Sequence, residues 1–300
     1  MKLKIFSALL IGSAIFYFSY GFMSEENEDQ KAANIFKNYW YDGNAEIATY
    51  NLEQNRYGQL RNGSAVLVFV TEDFSKKKQV KLDDPERAGK DRMPILKLNY
   101  IKKFQTGIYP YSIMSSVFTP VDLSGTIKSS CSVQEWCGHT FIQLNKTSNG
   151  FKSVEYSYFE MEGDKQKVLN NFTLEDEILN IIRINPNALK EGKTRLIRGS
   201  IAARLLHLGI EEVEVEIEKS NGLLDNKKVA VLNIIFPEQR SLVLYYETEF
   251  PYLILGWDET YAEFGKELIT TKARLIITMR LPYWKLNRNE NVNYLDSLGI

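Results

Sequence analysis

The sequence predicts a mainly β protein, an antiparallel meander forming a large curved sheet or half-barrel with a few short helices. Three observations carry that reading. Most of the chain is divided into runs rich in Val, Ile, Thr, Tyr and Phe that are separated by turn signals. Tyrosine (17) is as frequent as phenylalanine (16), which favours strands with one partly wet face over a helical bundle. The stretch Glu212 to Glu218 alternates without a break, placing four carboxylates on one face of a strand and three β-branched residues on the other.

Ser24 to Lys37 begins with an N-cap candidate and sets Ala32, Ile35, Phe36 and Tyr39 at helical spacing, so a short amphipathic helix is expected there. The period then changes. Glu46 to Gln54, Ala65 to Thr71, Ile95 to Phe104 and Ile108 to Phe118 read as strands, with turns at Asn62-Gly63 and Thr106-Gly107 and a long polar loop over Leu82 to Pro94. His139 to Asn145 and Val154 to Glu162 form a further pair around Ser148-Asn149-Gly150. Thr173-Leu174-Glu175-Asp176 resembles a capping box, and Leu174, Ile178, Leu179 and Ile182 follow at helical intervals until Asn185-Pro186. Thr194 to Leu208 fits either period equally. Beyond it Val229 to Phe236, Leu242 to Glu247, Tyr252 to Trp257 and Leu268 to Met279 continue the meander, and Asp258 to Lys266 is the only connection in this half that could hide a crossover helix.

The first 22 residues have the pattern of an export signal: Lys2 and Lys4, an apolar stretch from Ile5 to Phe18, and small residues at Ser19 and Gly21. The expected location is periplasmic, with an uncleaved anchor in the inner membrane as the alternative, since about 17 to 25 apolar residues span a bilayer. Residues 23–300 are then the β-rich exported domain, with a candidate division into two halves near 165–190. One continuous sheet curled around a cavity fits equally. Without the leader 35 basic and 38 acidic residues remain, a net charge of −3 that gives no footing for nucleic acid.

Both cysteines and one of two histidines fall between Cys131 and His139. In an oxidising compartment a Cys131–Cys137 disulfide is expected, worth roughly 2 kcal/mol and requiring the chain to reverse between Ser132 and Trp136. The alternatives are two free structural thiols, metal ligation by Cys131, Cys137 and His139, or a Cys137 nucleophile with His139 as base. His207, the other imidazole, reads as a half-buried residue beside a turn. Asp42 with Glu46, or Asp258, Glu259 and Glu263, could supply a carboxylate pair for glycoside cleavage. The chain has no Gly-rich phosphate loop, no Gly-x-Ser-x-Gly elbow and no His-Glu-x-x-His, so no cofactor or metal is predicted.

Aromatic clusters lining a concave sheet would suit a lipid, an acylated peptide or a glycan, and Trp40, Tyr109, Tyr111, Trp136, His139 and Trp257 are the candidate ligand-binding residues. The leading expectation is an exported, non-enzymatic envelope protein that binds an apolar or amphipathic ligand or acts structurally. A carboxylate-based hydrolase of envelope polysaccharide or peptide and a membrane-tethered interaction module are the alternatives.

Tyr39 to Glu46, Gly107 to Ser112 and Gln134 to Thr140 together resemble an uncharacterised family of exported bacterial proteins often labelled septum formation inhibitor Maf, over the chain from about Asn38 onward. The resemblance implies export. The label itself implies a cytoplasmic nucleotide pyrophosphatase with a Ser-Pro-Arg-Arg signature, which this chain lacks. A looser likeness, of architecture alone, is to periplasmic lipoprotein carriers, whose curved antiparallel sheet holds acyl chains beneath a helical lid.

Overall fold

The computed structural model describes residues 30, 31 and 33–300. The predicted leader and the start of the predicted helix lie outside them. The chain divides into two compact units, Met1–Gly43 and Asn44–Ile300. In the first, residues 30, 31 and 33–40 are helical (α1), and Trp40 packs edge-on against Tyr39 at 5.0 Å.

The second unit is one sheet of fifteen strands, open rather than closed into a barrel. Its first half is a meander: β1 (Ala45–Arg56), β2 (Gln59–Ser75), β3 (Arg92–Thr106), β4 (Tyr109–Pro120), β5 (Lys128–Glu135), β6 (Gly138–Lys146), β7 (Gly150–Ser157) and β8 (Lys165–Asn170). After β9 (Thr173–Leu174) and α2 (Ile178–Ile184) come β10 (Gly192–Ile197), α3 (Ser200–Leu206), β11 (Glu212–Leu224), β12 (Lys227–Ile235), β13 (Ser241–Tyr246), β14 (Ile254–Ala262), β15 (Leu268–Leu281) and a last short helix, α4 (Tyr294–Leu298). Every pairing is antiparallel except β9 with β10. The strands β1 and β15 pair at the middle, so β8 and β9 are the two edges.

Those edges are joined by Asn171 and Phe172 alone. Fifteen strands laid flat would hold their edges about 67 Å apart at ~4.8 Å per gap, whereas three steps of ~3.8 Å reach about 11 Å. The sheet must therefore curl upon itself. Across the seam Leu169, Phe151 and Ile142 pack with Leu174, Ile197 and Ile210, and the Asn170 amide donates to Glu212 Oε1 at 2.8 Å.

The concave face is read directly from the register. Leu98, Tyr100, Lys102 and Phe104 of β3 face the same way as Leu67, Ala65, Tyr50 and Leu52 in β2 and β1, and as Val117, Ser115 and Ile113 in β4. Small residues in that row (Ala48, Ala65, Ser115, Ser129) leave room for α2 and α3, whose residues Ile178–Arg183 and Ser200–Leu205 are buried all round. Three consecutive acids hold this filling in place. Glu175 accepts from the Gly199 amide (2.8 Å), Asp176 from Ser129 Oγ (2.7 Å) and the Ser200 amide (2.8 Å), and Glu177 from the Thr126 amide (3.0 Å). Two of them thus cap α3 with charge at its amino end. Arg240, buried, joins Glu175 (3.0 Å) to Glu259 of β14 (2.7 Å).

Several expectations are met and others are corrected. β11 alternates with Val213, Val215 and Ile217 inside and Glu214, Glu216 and Glu218 outside. The ambiguous Thr194 to Leu208 is both things in turn, a strand to Ile197 and then α3. The capping-box segment does not open a helix: Thr173–Leu174 is strand, a 3-10 turn follows over Glu175–Glu177, and α2 starts at Ile178, because Asp176 is drawn off to Ser129 and Ser200. Asp258 to Lys266 continues strand β14 and forms its turn rather than a helix.

The Cys131–Cys137 disulfide is overturned. Both thiols are free, Cys131 buried and Cys137 exposed. The reversal falls at Trp136-Cys137, the two-residue tip between β5 and β6, so Cys131 stays four residues down the strand, roughly 13 Å away at ~3.3 Å per residue. His139 pairs with Gln134 on the face opposite to Cys131, and among the described residues no three His, Cys, Asp or Glu side chains converge to hold a metal. Thiol labelling of the native, unreduced protein should therefore modify one cysteine quickly and the second only after unfolding; no labelling of either cysteine, even in denaturant, would restore the bridge. Removing the arginine that links the helical filling to the sheet, with Arg240→Met, should cost about 3–5 kcal/mol in denaturant unfolding, because two buried carboxylates lose their counter-charge.

Candidate functional site

Two interior spaces lie in the curled sheet. The smaller, about 70 Å³, lies between β3, β4, β13 and β14 and the two helices. Trp257 lines it, with its ring 5.0 Å from Tyr50 and 5.4 Å from Tyr100. Lys102 lines it too, donating from Nζ to Gln54 Oε1 at 3.1 Å, and burial holds its pKa below the ordinary lysine value. The larger, about 620 Å³, opens among the turns at one end of the sheet.

Those turns meet in a ring. At the β1–β2 tip, Tyr57 and Gly58 both take positive φ (60° and 73°), which makes the tight hairpin that aims Tyr57 at its neighbours. Its hydroxyl lies 2.7 Å from that of Tyr111 and 3.4 Å from that of Tyr109, and the Tyr109 ring lies 6.3 Å from Trp136 at the β5–β6 tip. Tyr158 then covers Gly138, where a Cβ would fall 2.5 Å from the ring, so only glycine admits this contact. Phe159 meets His207 at 5.5 Å, His207 meets Phe264 of the β14–β15 turn at 5.6 Å, and Glu263 beside it accepts from the Gly58 amide at 3.1 Å.

Arg56 is the hub of this ring. Its Nη1 donates to the Leu205 carbonyl (2.6 Å) and Glu263 Oε1 (2.9 Å), and its Nε and Nη2 donate to Tyr111 Oη (3.3 Å). His207 ends α3 in the left-handed conformation (φ 56°), a position usually taken by Gly or Asn. Its Nδ1 is 2.7 Å from Glu162 Oε1, and its Nε2 faces Arg204 Nη1 (3.3 Å) and Arg56 Nη2 (3.5 Å). Since guanidinium can only donate, the network assigns the neutral tautomer, with Nδ1–H donating to Glu162 and Nε2 accepting. Burial first, and then the two guanidiniums, hold the imidazole pKa below its usual value against the pull of Glu162.

Of the predicted residues, Tyr109, Tyr111 and Trp136 converge at this ring, Trp257 belongs to the smaller cavity, His139 is exposed on the outer face, and Trp40 lies in the first unit. Arg56, Arg204, Glu162, Phe159 and Phe264 were not anticipated. Arg204 and His207 at i and i+3 near a helix end were the one local signal. The acids considered for hydrolysis are each tied to an arginine: Glu46 to Arg183, Asp258 to Arg274 (2.8 Å), Glu259 to Arg240 (2.7 Å) and Glu263 to Arg56 (2.9 Å). Asp42 lies in the first unit.

No family model matches the chain, and no curated protein sequence matches it either. Among solved structures, a crystal structure described as an outer membrane lipoprotein-sorting protein domain from Vibrio parahaemolyticus is similar at 10% identity over 88% of this chain and 96% of that chain, with a TM-score of 0.19. A score that low gives the likeness no weight.

The tautomer sets a pH dependence. A folded-state pKa below the unfolded value of about 6.5 means that the stabilisation is complete above that pH and is lost as pH falls through the folded value. Buried Asp176 and Glu177, whose pKa values are raised, act in the opposite direction but equally in wild type and variant. Between pH 7 and pH 5 the Tm of wild type should therefore fall relative to that of His207→Asn; parallel profiles would contradict the assignment.

Proposed function

We propose that the protein is an exported binding protein that holds one mainly apolar, amphipathic molecule in the pocket at the open end of its curled sheet. The observation that carries the reading is the pocket itself. About 620 Å³ falls within the ~300–1,000 Å³ of small-molecule sites, and its walls include Ile142, Phe159, Met161, Leu206, Leu208 and Phe264. Met161 and Phe264 at its edge are 96% and 65% exposed, an apolar surface that a soluble monomer gains nothing by displaying. The export-signal pattern and the resemblance to exported bacterial proteins support a place in the envelope. The pairing of Glu46, Asp258, Glu259 and Glu263 with arginines favours binding over carboxylate-based hydrolysis, because it engages these carboxylates in structural ion pairs.

Native mass spectrometry of protein purified from its own envelope, followed by titration with an environment-sensitive naphthylamine dye, tests the proposal. One lipid-like molecule per chain is expected, and it should compete with the dye. Gly209 borders the pocket with a negative φ, and a Cβ there would meet only Lys167 Nζ at 3.6 Å. Gly209→Phe should thus fold normally and lower dye affinity at least tenfold. Unchanged binding in that variant, or no dye binding by wild type, would rule this pocket out.

A further inference from the structure

Arg204 stands apart from the other arginines buried in this unit. Arg56, Arg183 and Arg240 each hydrogen-bond a carboxylate. Arg204 is only 4% exposed, yet its nearest carboxylate oxygen is 3.7 Å away on Glu162, which already accepts from His207. Its Nε has no hydrogen-bond partner, and its Nη1, besides that distant carboxylate, meets the ring nitrogens of neutral His207 at 3.3 and 3.4 Å. Phe159 lies 4.4 Å from the guanidinium carbon and holds the group from one face. A charge so deeply placed, beside a second guanidinium on Arg56, has as counter-charge only the distant Glu162 carboxylate, which makes its hydrogen bond to His207 instead. It lines the 620 Å³ pocket.

We propose that Arg204 receives the anionic head, a carboxylate or a phosphate monoester, of the amphiphile held in this pocket, an assignment that rests on the binding function above. The planar fork of a guanidinium matches both anions in a two-point contact, which a lysine at the same place would not make. The three carboxylates of the pocket do not compete for this role. Glu162 is engaged by His207, Glu155 pairs with Lys167 at 3.2 Å, and Glu160 is exposed. With the head at Arg204 near the end of α3, the tail takes the apolar part of the lining, which includes Ile142, Phe159 and Met161. The pocket thus selects for charge as well as for chain.

Calorimetric titration of the full protein, stripped of bound lipid, with decanoate, decyl phosphate, decanol, acetate and inorganic phosphate separates the possibilities. Decanoate or decyl phosphate should bind at least tenfold more tightly than decanol, and whichever is tighter identifies the head. Acetate and phosphate alone should bind far more weakly. Arg204→Gln should abolish the preference for the charged head while keeping decanol binding, and Arg204→Lys should keep part of it. Equal affinity of wild type for decanoate, decyl phosphate and decanol would overturn the head assignment and leave the apolar pocket standing. Failure of all three to bind would overturn both. Free phosphate binding as tightly as decyl phosphate would make the ligand a simple anion and remove the amphiphile. Should the glutamine variant not fold, the wild-type comparison and the lysine variant still decide.

Discussion

The two-residue link between β8 and β9 is the constraint on which the rest of this molecule depends. Asn171 and Phe172 connect the opposite edges of a fifteen-stranded sheet, so the sheet has no flat state available to it. Curling creates an interior, and an interior of this size has to be filled or left as cavity. The chain fills it with its own α2 and α3, which follow the link almost at once and are buried on every side. What they do not fill becomes the two spaces described above.

Burying polar helix ends and long cationic side chains inside a sheet demands specific partners, and the distribution of charge shows how that demand is met. Arg240 ties the turn before α2 to β14, Arg183 ties α2 to β1 through Glu46, and Arg56 ties the β1–β2 tip to α3 and to Glu263 in the turn after β14. Such pairs contribute little net stability over well-packed apolar residues, but each fails if the strand it joins slips in register. They act as registration points between elements far apart in the chain. Lys102, with one side-chain partner, and Arg204, whose only carboxylate is 3.7 Å away, are two places where this matching is incomplete, and each borders one of the two cavities.

The fold was legible because its signal is local. Glu212 to Glu218 alternates with period two, and no other element satisfies that pattern with one face in water. The tie at Thr194 to Leu208 was genuine, since strand and helix share the stretch. Where the reading failed, a distant partner decided the outcome. Asp176 had the spacing of a capping residue, but Ser129 and Ser200 claim its carboxylate. Cys131 and Cys137 had the proximity of a bridge, and a hairpin tip more than two positions too late keeps them apart. The site divides in the same way. Tyr109, Tyr111 and Trp136 were visible as aromatic residues beside turns, and Glu263 as one of a cluster of acids, whereas Arg56, Glu162 and Arg204 are assembled from segments up to about 150 residues apart and carry no pattern of their own.

The two ends of the sheet differ in a way that places the pocket. At one end of β2, β3 and β4, Phe74 stacks on Phe118 at 4.8 Å over Ile95 and Ile127, and the loop beyond is fastened by Ser75 to Asp91 (2.6 Å) and by Gln79 to the Lys146 carbonyl (2.7 Å). Apolar packing and side-chain hydrogen bonds together plug it. At the other end the turns touch through hydroxyls, ring edges and arginine, contacts made between side chains that leave space between the loops. An apolar plug resists opening because it would expose its area to water, while a ring of aromatic and charged side chains can part by rotamer change alone. A curled sheet closed in the first manner at one end and in the second at the other opens more readily at the second, where His207 and Arg204 line the pocket.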